Sequence, residues 1–336
     1  MGILGKWWIL SHGDGDGISS AAISMGFLKN EVRGIYFTHP AGLAEDLEIV
    51  SKGESVIITD IAFSSGLTKN VMEKLSGIIA DGGEVIYIDH HPIPPEVVKN
   101  KIPGEFINEE CCSASELSYR YLKRRFGTSG FKEREFEKIA LYGSISDYLD
   151  NTEWVVRALN NWDKRYIYFE AGILSQGLEG MRKQHELKKE IVKKLASGED
   201  PSSISELVVN SIFMSRNEKN LIDFVSKNFK IIGKVAYVEE PPGSVPRAAT
   251  YARALSGQPI GAAFEKRKGM AIISIRASDA SFKVNELAMK IAPTLGGNAG
   301  GHPLACGARV PLEKTVSFFE AISEAINVES VGNGKK

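Results

Sequence analysis

The sequence has little of what staples or anchors a chain. Three cysteines among 336 residues do not build a disulfide framework. Cys111 and Cys112 are adjacent and Cys306 is distant, a usage that suits a reducing cytosol and predicts a cytoplasmic protein. No Cys-x-x-Cys pair exists, so a thiolate zinc cluster fails on spacing. No run approaches the ~18 apolar residues of a membrane span. The opening Lys6-Trp7-Trp8-Ile9-Leu10-Ser11 is too short for the apolar region of a signal peptide, so no membrane association is expected. Net charge is almost absent: the formal value is -1, so overall charge predicts no polyanion ligand and local charge has to decide. No repeat of fixed period is present, and the only obviously loose segment is the tail Gly332–Lys336.

What the chain does have is length and a core. Its 336 residues suggest two domains, and 43% hydrophobic with 25% charged residues is ordinary for a soluble globular protein. Residues 1–150 alternate short apolar runs (Trp7–Leu10, Gly34–Phe37, Val56–Ile58, Val85–Ile88) with helical spacing at Ile18–Lys29 and Leu67–Leu75. This alternation predicts a mostly parallel sheet covered on both faces. Ser113-Ala114-Ser115-Glu116 reads as a capping box opening a further helix. From about Trp162 to Asn228 helical spacing dominates. Arg182–Lys194 carries six Lys/Arg against two Glu, which reads first as a solvated connector helix and second as a basic strut facing a nucleic-acid channel. A second α/β unit follows, with candidate strands Ile231–Val238, Ile260–Phe264, Met270–Ile275 and Ala305–Val310 and amphipathic helices Val284–Ala292 and Val316–Ile326. Between Tyr251 and Leu312 the local balance is 8 − 3 = +5. The near-neutral total therefore hides an acidic first half and a basic second half, a division suited to holding a phosphate diester against metal.

Acidic clusters recur where buried elements end: His12-Gly13-Asp14-Gly15-Asp16-Gly17, Asp60, Asp89-His90-His91-Pro92 and Asp147. If His12, Asp14 and Asp16 extend the first strand, alternate side chains point the same way and converge, and the three glycines let the backbone turn around them. Asp and Gly also make ordinary turns and helix caps, and Asp60 or Asp147 alone reads equally well as one. Asp89-His90-His91 is the stronger signal, because two imidazoles beside a carboxylate after a buried strand are costly to place without a purpose. Together the clusters imply a bimetal site rich in carboxylate, with no thiolate. That suits two Mn²⁺, or Mg²⁺ or Co²⁺, and hydrolysis of a phosphoester or phosphoanhydride. Late in the chain, Gly296-Gly297-Asn298-Ala299-Gly300-Gly301-His302-Pro303 reads as a glycine-rich loop whose N–H groups, with His302, could hold a phosphate. Arg276 is a candidate bidentate phosphate ligand, or an ordinary surface Arg at a strand end.

These motifs, in this order, resemble the DHH phosphoesterase superfamily with a C-terminal DHH-associated domain, over nearly the whole chain. The His-x-Asp-x-Asp-Gly form looks more like RecJ-type and archaeal RecJ-like nucleases than like NrnA-type enzymes. The resemblance implies a parallel-sheet DHH domain (1–160), a helical connector (161–228) and a smaller α/β DHH-associated domain (229–330), with the active site in the cleft between domains. It implies one metal on His12, Asp14 and Asp60, and another on Asp16, Asp60, His90 and Asp147. His91 would contact the scissile phosphate, Asp89 would orient the motif, and Arg276, Gly300, Gly301 and His302 would bind substrate. The implied activity is a Mn²⁺-dependent exonuclease releasing nucleoside monophosphates from single-stranded DNA or RNA, with 3′→5′ polarity slightly favoured. The alternative is a small-substrate enzyme: a nanoRNase, a 3′-phosphoadenosine 5′-phosphate phosphatase or a cyclic-dinucleotide phosphodiesterase. A replisome or repair-helicase partner is implied by the archaeal relatives. The hydrophobic helix faces could serve a homodimer or only the core.

Overall fold

The computed structural model describes residues 6–63, 66–127, 131–181 and 183–332, with side chains up to residue 326 apart from that of Phe131. Arg182 of the basic stretch and all of the tail beyond Gly332 lie outside the described residues. The chain divides into two compact units, Met1–Met214 and Ser215–Lys336.

The first unit runs β1 (Trp7–Ser11), α1 (Gly15–Leu28), β2 (Val32–Phe37), α2 (Leu43–Asp46), β3 (Ser55–Thr59), α3 (Thr68–Ala80), β4 (Val85–Asp89), β5 (Glu105–Asn108), α4 (Ala114–Phe126), α5 (Phe131–Ser146), α6 (Glu153–Leu159), α7 (Lys164–Glu179) and α8 (His185–Ser197). The strands form one parallel sheet in the order β2-β1-β3-β4-β5. The chain leaves β1 for β2 on one side and then returns to β3 on the other. The C-terminal ends of β1 and β3 therefore flank a topological switch point, where open α/β sheets leave a crevice for ligands. The expected strands are all present, and β5 is an addition that the sequence did not signal. Both sheet faces are buried, which is why the strands read as nearly continuous apolar runs. Ile9, Ile57, Ile86 and Ile88 face a core shared with α1, α4 and α5. Leu10, Val56, Ile58, Val85 and Tyr87 face the α3 side.

Two local expectations need correction. Ser113 does cap α4, accepting from the Glu116 N–H, but Glu116 does not return the bond. Its carboxylate is drawn away to Arg120 and Thr152, so only half of the capping box forms. The basic helix α8 is not a freely solvated connector: Lys188, Ile191, Val192 and Leu195 are buried, on a face that packs against α1. Helix α9 (Ser205–Asn228) is continuous across the boundary between the units.

The second unit contains β6 (Lys230–Ile232), β7 (Val235–Glu239), α10 (Val245–Ser256), β8 (Ile260–Arg267), β9 (Met270–Ala277), α11 (Val284–Thr294), β10 (Asn298–His302), β11 (Ala305–Pro311) and α12 (Thr315–Gly332). Its sheet has the order β10-β11-β9-β8-β7-β6, and only β7–β8 pair in parallel. The single strand expected over Ile231–Val238 is in fact a hairpin. Gly233, at φ 54°, turns the chain so that Ile232 pairs with Val235. The glycine-rich segment is likewise not a free loop, because Asn298–His302 forms edge strand β10 against β11.

Candidate metal centre

The acidic motifs gather at the C-terminal ends of β1, β3 and β4 and at the end of α5. They do so by a route the alternation argument did not foresee. β1 stops at Ser11; Asp14 is the N-cap of α1, and Asp16 is already in its first turn. Asp14 accepts from the Gly17 N–H at 3.0 Å, so one carboxylate oxygen ends the helix and the other meets His12 Nδ1 at 2.7 Å. None of Gly13, Gly15 and Gly17 has positive φ. What these glycines provide is close approach: a Cβ on Gly17 would sit 2.2 Å from the His12 carbonyl oxygen.

Asp16 turns away from the other two and docks on the N-terminus of α4. Its oxygens accept from the Ala114 and Ser115 N–H groups at 2.7 and 2.9 Å, satisfying two donors that a helix start leaves open. Gly143 of α5 makes room, since a Cβ there would lie 2.3 Å from Ser115 Oγ and 2.8 Å from Asp16 Oδ1.

Asp60 is the centre of the arrangement. It follows β3 at φ 59°, a strained left-handed backbone for a side-chain-bearing residue, and is 4% exposed. Its Oδ1 lies 3.4 Å from His90 Nε2 and its Oδ2 3.7 Å from His12 Nδ1. Oδ2 is buried with no hydrogen-bond partner. His90 Nε2 also lies 3.5 Å from Asp147. Among the described residues, ligand atoms come within 4.8 Å of one another here in three triplets: His12-Asp14-Asp60, Asp16-His90-Asp147 and Asp60-His90-His91. A fourth such triplet, Glu109-Cys111-Cys112, lies elsewhere. There burial and the nearby glutamates push the Cys112 thiol far up, which disfavours a thiolate ligand.

The electrostatics are those of crowded anions. Burial, then the charges of Asp14, Asp16, Asp89 and Asp147, push Asp60 well above the usual carboxylate range. Burial, then Asp16 and Asp14, raise Asp147 to about 7. Asp14 is the exception: desolvation works against its charge, but the His12 contact brings it down to about 2. Carboxylate and imidazole donors with no thiolate suit Mn²⁺ or Mg²⁺, and the orphan Asp60 oxygen is one that a cation would satisfy. The donor set fits the group expected from the sequence.

Asp89 is 2% exposed and accepts from His91 at both the backbone N–H (3.3 Å) and Nδ1 (2.9 Å). This leaves Nε2 as the working atom of His91. Burial opposes a charge on the ring, but the Asp89 bond and charge outweigh it and raise its pKa.

In the second unit, the predicted substrate residues also come together. His302 of β10 pairs in register with Ala305 of β11, which pairs with Arg276 of β9, so all three share one row of the sheet. Gly300 and Gly301 precede His302 on the same exposed edge strand.

Lys188 is the residue that sequence reasoning missed. By composition it is one more charge of a solvated helix, yet it is 4% exposed and donates from Nζ to the Gly13 carbonyl at 2.5 Å. The signal was there: Lys188 stands three, four and seven residues before Ile191, Val192 and Leu195, on the apolar stripe of α8.

Residues 6–144 match the DHH family, N-terminal domain, and residues 229–328 match the DHHA1 domain. No curated protein gives a significant sequence match. Among solved structures, a manganese-bound exonuclease RecJ superposes with a TM-score of 0.63 at 16% identity, over 96% of this chain and 90% of that one. RecJ from Thermus thermophilus in complex with Mn²⁺ gives 0.61 at 16% identity; 96% of this chain is covered, but only 52% of that longer protein. A pGpG-specific phosphodiesterase, PggH from Vibrio cholerae, gives 0.57 at 15% identity, over 96% and 99% of the two chains. The two domain matches, in this order and over these folds, make the chain a member of the DHH superfamily of metal-dependent phosphoesterases, with a C-terminal DHHA1 domain.

Proposed function

We propose that the protein is a manganese-dependent exonuclease that hydrolyses single-stranded DNA or RNA to nucleoside monophosphates in the 3′→5′ direction, with two metal ions at its acidic centre. In this reading His12, Asp14 and Asp60 hold one ion, and Asp16, Asp60, His90 and Asp147 hold the other. The observation that carries it is Asp60: a buried carboxylate oxygen without a hydrogen-bond partner, on strained backbone, belonging to two ligand triplets at once. Such a group is expensive unless a cation pairs with it. When bound, the ions supply charge that polarises the phosphoryl group and acidifies the attacking water.

The chain's own residues do the rest. Asp89 fixes the His91 ring through Nδ1, and in this reading Nε2 is the atom left to donate to a non-bridging phosphate oxygen. In the second unit, Arg276, His302 and the Gly300-Gly301 backbone bind a substrate phosphate, supported by the sheet row that Arg276 and His302 share and by the local excess of basic residues.

The test is a substrate panel with Mn²⁺: a long single strand labelled at either end, a dinucleotide, a cyclic dinucleotide and 3′-phosphoadenosine 5′-phosphate. A ladder shortening from the 3′ end supports the proposal. Intact strands alongside rapid turnover of the small substrates would replace it with the small-substrate reading.

A further inference from the structure

Burying a lysine is costly, and lysines are seldom fully buried unless paired. Lys188 is buried on the α8 face that packs against α1, at the point where the chain passes from β1 into α1. Its Nζ reaches the carbonyl oxygen of Gly13, the residue between His12 and Asp14. A Cβ on Gly13 would stand 2.9 Å from that nitrogen, so glycine at 13 and lysine at 188 are matched in space.

We propose that Lys188 is a positioning residue of the metal centre: its hydrogen bond to Gly13 clamps the β1–α1 turn so that His12 and Asp14 converge with Asp60. The inference rests on the metal assignment made above. Two roles for a buried ammonium here predict opposite signs. As a charge alone, it repels an incoming cation, and its removal tightens metal binding. As a clamp, it sets ligand geometry, and its removal weakens metal binding although a repulsive charge has gone.

The experiment uses the full chain stripped of metal. Mn²⁺ affinity is measured by calorimetry, with the electron paramagnetic resonance of free Mn²⁺ as a second reading, for wild type, Lys188→Met and Gly13→Ala. Kinetics are run at saturating and limiting Mn²⁺. Lys188→Met keeps the aliphatic stem and removes the donor, whereas Gly13→Ala keeps the ammonium and displaces it. The clamp predicts affinity lower by about 10-fold or more in both variants, of the order seen when partners of metal ligands are removed. It also predicts a lowered kcat at limiting Mn²⁺ and an unchanged KM for substrate. Far-UV circular dichroism checks folding, and Gly13→Ala alone decides the matter if Lys188→Met does not fold. Unchanged or tighter Mn²⁺ binding by folded variants overturns the clamp. A wild-type protein that binds no Mn²⁺ overturns the metal assignment itself, which is a separate and recognisable result.

Discussion

Asp147 offers a direct test of whether the acidic centre is built at the expense of stability. Its carboxyl is raised from 3.8 to about 7 by burial, then by the charges of Asp16 and Asp14. A raised folded-state pKa means that the folded protein keeps this proton where the unfolded chain has released it. Metal-free stability therefore falls as pH rises from about 4 to about 7. The full shift of about 3 units corresponds to roughly 4 kcal/mol. The side chain is 37% exposed, and solvent screening reduces that to about 1–2 kcal/mol. Asp147→Asn removes the penalty. In EDTA at about pH 8 the variant should be more stable than wild type by about 1–2 kcal/mol, and near pH 4 the two should be nearly equal.

Comparing wild type with variant isolates Asp147 from the other titrating groups. Asp60, His12 and His91 are also raised and add slopes of the same sign. Burial lowers His90, whose contribution is lost instead as pH falls. All four tryptophans (Trp7, Trp8, Trp154 and Trp162) lie in the first unit, so tryptophan fluorescence in urea reports that unit alone. With saturating MnCl₂ the order should reverse, because the wild-type ligand set binds metal only when folded. An Asn variant with no advantage over wild type at about pH 8, or with the same advantage at about pH 4 as at about pH 8, would refute this account.

Other substitutions probe the supports of the site. Gly143→Ala places a methyl against Ser115 Oγ and Asp16 Oδ1; it should cost about 1–3 kcal/mol in urea unfolding and weaken Mn²⁺ binding by calorimetry. Asp89→Asn leaves the His91 ring without its charged partner; kcat should fall roughly 10–100-fold with little change in KM. His302→Ala should mainly raise KM, and an unchanged KM would argue against a phosphate contact on that sheet row.

How much of this was legible in the sequence depends on how local each signal is. The parallel strands of the first unit can be read because burial on both faces leaves unbroken apolar runs such as Val56–Ile58 and Val85–Ile88. β5, Glu105–Asn108, carries no such run and is invisible in the sequence. β10 is hidden for a related reason. A segment of Asn, Ala, Gly and His has little strand propensity, and pairing with β11 makes it one. The hairpin within residues 230–239 reads as one strand because Gly233-Lys234 is a short interruption in an apolar stretch, and only the turn at Gly233 reveals the reversal.

The sequence by itself determined the donor types and their attachment to the ends of buried elements, because those follow from residue identity and apolar runs. It also determined the contrast between an acidic first half and a basic second half. Tertiary structure decided what depends on partners far along the chain: Asp16 held by the start of α4, Asp60 left with an orphan oxygen, and His302 brought into line with Arg276. Lys188 shows the difference most plainly. Its place on the apolar stripe of α8 is written in the spacing, but its acceptor is 175 residues away, and only packing of α8 on α1 joins them. Spacing along a helix reports which way a side chain faces; what it meets there is set by long-range packing.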